Sequence, residues 1–199
     1  MTYPPTLEQL RAAADRFGRF DEEEELDLAV ALKLVGTFGP VFSEDQAHRR
    51  AAWFCTICVR RYLHAWAGIG CEGTGPRDAL DAASHWIRTG QYPADFAEHC
   101  LPSVARRGGE VVADCDAPCV SSLASAASRT AYFCRTRDPI DAAAALCALR
   151  GAVLEGLEHA DGIGFEEWMT TRGVEEAWNL SGLKGGPSGP AADRPDHRS

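Results

Sequence analysis

The sequence contains no run of 18 apolar residues, so no segment reads as a membrane-spanning helix. The residues after Met1, Thr2-Tyr3-Pro4-Pro5, form neither a basic start nor an apolar core, so the pattern of a secretory leader is missing. The expected location is therefore the cytoplasm, with reduced thiols. No stretch alternates apolar and polar residues cleanly enough to predict a sheet. HExxH, GxSxG and Walker signatures are also missing, and the glycines at 68–75 lack the lysine and preceding strand of a phosphate loop. The acidic run from Asp21 lacks the DxDxDG spacing of a calcium loop. No cofactor is expected.

The chain of 199 residues is 45% hydrophobic and 25% charged, ordinary values for a globular protein. Its helical signals are dense. Thr6 is placed to cap a helix over Leu7–Phe17, and Gly18 to stop it. Asp21 is expected to cap a second helix that runs to Leu34 or Val35. Ser43 and Gln46 fit a capping box for a third helix reaching Trp66, with Ala51, Cys55, Cys58, Tyr62 and Trp66 on its apolar side. On the same helix, His48, Arg49, Thr56, Arg60 and His64 are expected on a polar side, with Trp53 nearer to that side than to the core stripe.

Pro76 opens a helix that Gly90 closes, Asp138-Pro139 opens another, and Arg172-Gly173 is placed to interrupt a last helix over Phe165–Trp178. The alanine-rich segments 119–134 and 138–160 read as hairpin partners. These signals predict an all-α helical bundle or short array of antiparallel hairpins over residues 1–180. The Gly/Pro-rich stretch 181–199 is predicted to be a disordered tail.

The eight cysteines include the pair Cys55-x-x-Cys58, read first as small core side chains. A redox pair would sit at a helix start after a strand, which this one does not. A metal site would need further ligands, for which Cys115, Cys119 and His99 are the weak candidates.

Net charge is −9. Residues 1–30 and 150–180 each carry net −5, whereas 44–107 carry net +1. Acidic ends disfavour nucleic acid and favour a basic protein partner. Glu22, Glu23, Glu24 and Glu25 are the acidic candidates for such contact, and Trp53, Arg60 and His64 the aromatic and basic ones.

The stretch Trp53-Phe54-Cys55-Thr56-Ile57-Cys58-Val59-Arg60-Arg61-Tyr62-Leu63, followed by Gly75-Pro76-Arg77-Asp78-Ala79-Leu80, Trp86 and Gly90, resembles a helical immunity-protein family of bacterial polymorphic toxin systems. The likeness is closest over residues 51–90 and looser over the alanine-rich helices, and residues 101–118 have no counterpart in the pattern. The resemblance implies a non-enzymatic protein that neutralises a cognate toxin by direct contact, with Arg77 at a matching position. Because Arg77 falls in the first turn of its helix, where the dipole disfavours a cation, a buried or half-buried ion pair is expected there. The competing readings are a small metal-dependent or small-molecule enzyme with its site between helices, and a non-catalytic adaptor.

Overall fold

The computed structural model describes residues 6–19, 28–68, 75–96, 118–157 and 162–180. Every regular element among them is helical. In chain order they are α1 (Leu7–Gly18), α2 (Leu28–Gly36), α3 (Asp45–Arg60), α4 (Leu63–Gly68), α5 (Gly75–Thr89), α6 (Pro118–Thr136) and α7 (Pro139–Leu154). The last segment is α8 (Phe165–Trp168), a π-helical turn (Met169–Gly173) and α9 (Val174–Asn179). The all-α architecture is thus as expected. No described helix is long and apolar enough to cross a membrane.

Several boundaries follow from local chemistry. Thr6 caps α1 through its side chain, and Gln9 returns the bond to the Thr6 backbone, closing a capping box. Asp138 accepts from the Ile140 N–H and Pro139 takes the first helical position of α7. Gly90 ends α5 at φ +74°, a conformation that favours glycine. The predicted interruption at Arg172-Gly173 is the π-helical turn.

Two expectations for the third helix fail. Ser43 does not cap it: the Pro40 carbonyl accepts the Ser43 and Glu44 N–H groups at 3.0 Å, and Ser43 Oγ turns back to the same oxygen. The serine is consumed by that turn, so the helix starts at Asp45 with no side-chain cap. The helix also ends at Arg60, because Tyr62 N–H takes the Val59 carbonyl in a tightened last turn before α4 begins.

The third helix is not two-faced either. From Ala47 to Val59 only Arg49 and Arg50 escape full burial. α3 packs against α5, α6, α7, α9 and the π-helical turn, which together cover it on several sides. Trp53, expected near the polar side, is only 4% exposed, and Thr56 and His48 are buried outright. Thr56 tolerates this because its hydroxyl donates to the Ala52 carbonyl at 2.7 Å.

α6 and α7 form the largest helix pair, as the hairpin reading anticipated, and α2 packs on α7. α1 closes against the 165–179 segment. That contact is close at Gly18, where an added Cβ would meet Glu166 Cγ at 2.6 Å. Arg19 bonds Glu166 at 2.9 Å and Arg11 bonds Glu175 at 3.3 Å. α1 and the 165–179 segment therefore share one side of the fold. Buried Arg150 stitches α7 to the same corner by donating to the Gly18 carbonyl at 3.2 Å.

Two arginines of the α3 region anchor the C-terminal segment. Arg50 lies 4.0 Å from the Trp178 ring centroid and Arg61 4.7 Å from that of Trp168. Arg61 also donates to the Ile163 carbonyl at 2.6 Å.

Candidate functional site

The residues singled out from the sequence do not assemble into one site. Arg60, at the C-terminal end of α3, pairs with Asp81 of α5. His64 is exposed, with a ring nitrogen 3.1 Å from the Arg61 carbonyl. Arg77 is exposed in the first turn of α5 rather than buried, and no ion pair to it is found among the described residues. Trp53 is core. Glu22, Glu23, Glu24, Glu25, Cys115, His99 and residues 181–199 lie outside the described residues.

Cys55 and Cys58 are fully buried in the core. Burial pushes the Cys55 thiol up to about 12, and raises Cys58 well above its ordinary value. Both stay protonated at neutral pH, which makes them poor nucleophiles and poor metal ligands. Cys119 is half-buried on α6, and no grouping of three His, Cys, Asp or Glu side chains fit for a metal occurs among the described residues.

The opposite end of α3 is richer. Four chain segments meet there: the turn before α3, the end of α5 with residues 90–96, the end of α6, and the start of α7. Arg137 donates from Nη2 to Asp45 Oδ1 at 2.6 Å, tying the α6–α7 turn to the first turn of α3. Arg49 Nη1 donates to the Ile87 carbonyl at 3.3 Å. Tyr92 stacks on Trp86, with centroids 5.9 Å apart, and its hydroxyl donates to the Cys134 carbonyl at 2.9 Å. The last carbonyls of α6, which a helix cannot satisfy by itself, are thus bonded by side chains from other elements.

His48 lies at the centre of this end. Its Nε2 is 3.0 Å from the Phe133 carbonyl, and its ring packs on Trp86 and edge-on to Phe133 at 4.6 and 4.8 Å. A carbonyl only accepts, so the neutral ring carries its proton on Nε2. Nδ1 is then a lone pair, buried and without a partner among the described residues. Desolvation lowers the His48 pKa from 6.5 to about 4, against the Phe133 bond and Asp45, which favour the charged ring; Arg137 and Arg49 oppose it further.

The segments that meet here carry four of the large apolar side chains left in water: Phe42 (64% exposed), Ile140 (50%), Tyr92 (45%) and Tyr132 (43%). Sequence reasoning missed them because Phe42, Tyr92 and Ile140 sit in or beside turns and Tyr132 lies on an alanine-rich helix read as a packed hairpin partner. Ile140 carried a usable signal, since it is out of step with the buried Leu146 and Leu149 of its own helix.

No protein-family model, no curated protein and no solved structure matches the chain.

Proposed function

We propose that this chain is an immunity-like binding protein that neutralises a cognate toxin by direct contact, with the α3 start, the α5 and α6 ends and the α7 start as its docking end. The observation that carries this reading is that the exposed Phe42, Tyr92, Tyr132 and Ile140 lie on the segments that His48, Tyr92 and Arg137 join at one end of the bundle. Exposed aromatic and aliphatic anchors held on rigid elements are the usual energetic centre of a protein interface. The net charge of −9 favours a basic partner through long-range steering, while the docking end itself is near neutral, with Glu44, Asp45, Asp95 and Asp138 set against Arg49, Arg88, Arg135 and Arg137. The resemblance of residues 51–90 to immunity proteins points the same way. The thiols of Cys55 and Cys58 and the imidazole of His48 are buried packing groups, so a non-catalytic role also fits the chemistry of this chain's own side chains.

The test is to mix the purified chain with the purified protein encoded beside it and to measure binding by calorimetry. A stoichiometric complex is expected, weakening as salt rises. The double substitution Phe42→Ala, Ile140→Ala should reduce affinity by about tenfold or more. It should leave the circular dichroism spectrum unchanged, because both side chains are already in water. An adjacent gene for a biosynthetic enzyme, with no complex formed, overturns the proposal.

A further inference from the structure

The same end of the bundle contains a group that the binding reading does not use. His48 is fully buried, bonded through one nitrogen and bare at the other. We propose that His48 is an acid-sensitive latch: protonation at Nδ1 releases α3 from the C-terminal turn of α6 and opens this end of the fold. The inference concerns the chain by itself and stands whether or not a partner docks there.

The geometry makes the latch one-directional. In the neutral ring, the Nε2–H to Phe133 bond joins two helices whose bonded residues are 85 positions apart in sequence. Nδ1 faces no hydrogen-bond partner, so its lone pair is tolerated at modest cost. Adding a proton there creates a buried donor and a buried charge at once, both without an acceptor. The Phe133 bond strengthens when the ring is charged, but desolvation outweighs it.

The charged groups facing the ring are Asp45 and Arg49 on its own helix and Arg137 in the α6–α7 turn. α5 faces it with the Trp86 ring and α6 with the Phe133 ring. Asp45 is the one anion among those charges, and its Oδ1 is held by Arg137. A proton on His48 is relieved only by moving the ring to water, and that move breaks the Phe133 bond.

The free-energy linkage sets the size of the effect. An opened ring titrates near its ordinary 6.5 and the closed ring near about 4, so at pH 5 opening is favoured about thirtyfold over pH 7.5.

The experiment is a pH series on the full chain from 7.5 to 5, combining nitrogen NMR of the imidazole with hydrogen exchange expressed as protection over the intrinsic rate. The expected result is a His48 ring protonated on Nε2 alone at neutral pH. The protection of the Arg137 N–H and of the His48 N–H, the first bonded amide of α3, should fall about thirtyfold by pH 5, while α1 and the 165–179 segment keep theirs. In His48→Gln, whose amide can still donate to Phe133 but does not titrate, that fall should be absent. The latch is overturned if His48 titrates near 6.5 with protection unchanged. It is equally overturned if His48→Gln shows the same acid response as the parent. If His48→Gln does not fold, the imidazole titration and exchange of the parent chain decide alone: a ring still neutral at pH 5 with falling protection supports the latch, and any other combination overturns it.

Discussion

His48 and Arg137 share one acceptor. The Nε2–H of His48 and the backbone N–H of Arg137 both donate to the Phe133 carbonyl, each at 3.0 Å. Arg137 sits at φ +59°, in the left-handed region that ends helices, and its side chain reaches back to Asp45, three residues before His48. Two bonds, one from a side chain and one to a side chain, therefore clasp the start of α3 to the end of α6. A helix end that glycine and water commonly finish is finished here by a buried imidazole.

This arrangement predicts an acid-sensitive stability with a defined window. The folded ring has its pKa lowered to about 4, so between 6.5 and that value the unfolded chain binds a proton that the folded chain does not. The stabilisation is complete above 6.5 and is lost as pH falls toward 4, in total about 3 kcal/mol. Urea denaturation at a series of pH values should show this decline, and His48→Gln should lack it. A parent curve no steeper than that of the variant contradicts the prediction.

Arg137 offers a test of backbone strain. Alanine and glycine both remove the solvent-exposed ion pair to Asp45, a loss of about 0–1 kcal/mol. Only glycine relieves the positive φ, so Arg137→Gly should be more stable than Arg137→Ala by about 1 kcal/mol in urea midpoints. Equal midpoints would show that the turn relaxes out of the left-handed region in solution.

Two glycines should respond in opposite directions. A Cβ at Gly173 would lie 2.8 Å from the Trp168 ring, which is itself pinned beneath Arg61. Gly173→Ala should therefore cost about 1–3 kcal/mol and loosen the C-terminal segment. Gly151 lies inside α7 with nothing within 4 Å of an added Cβ. Gly151→Ala should stabilise by about 0.5–1 kcal/mol through helix propensity. Thermal melts of both variants against the parent check the order.

The thiols should separate by burial. A maleimide added to the native protein at neutral pH should modify the half-buried Cys119 and Cys147. Cys55, Cys58 and Cys134, fully enclosed, should react only after denaturant is added. Peptide mass spectrometry reads each site separately. Labelling of Cys55 in the native state would show that the α3 core opens far more readily than its packing allows.

The helical class, the capping of α1 by Thr6, the opening of α7 at Asp138-Pro139 and the break near Gly173 were all legible in the sequence. Each depends on residues within a turn of one another, where spacing and backbone preference are enough. The surroundings of α3 were not legible. An amphipathic reading assigns one side of a helix to water, yet α3 lies among several other elements, so Trp53, Thr56 and His48 became core. The partner that makes His48 tolerable is a carbonyl 85 residues away, and the exposed Phe42, Tyr92, Tyr132 and Ile140 lie on four separate segments. Local sequence therefore determined where the helices start and stop. Which polar groups could be buried, and which apolar ones stayed in water, was decided only by packing, because burial is settled by what a residue meets across the fold.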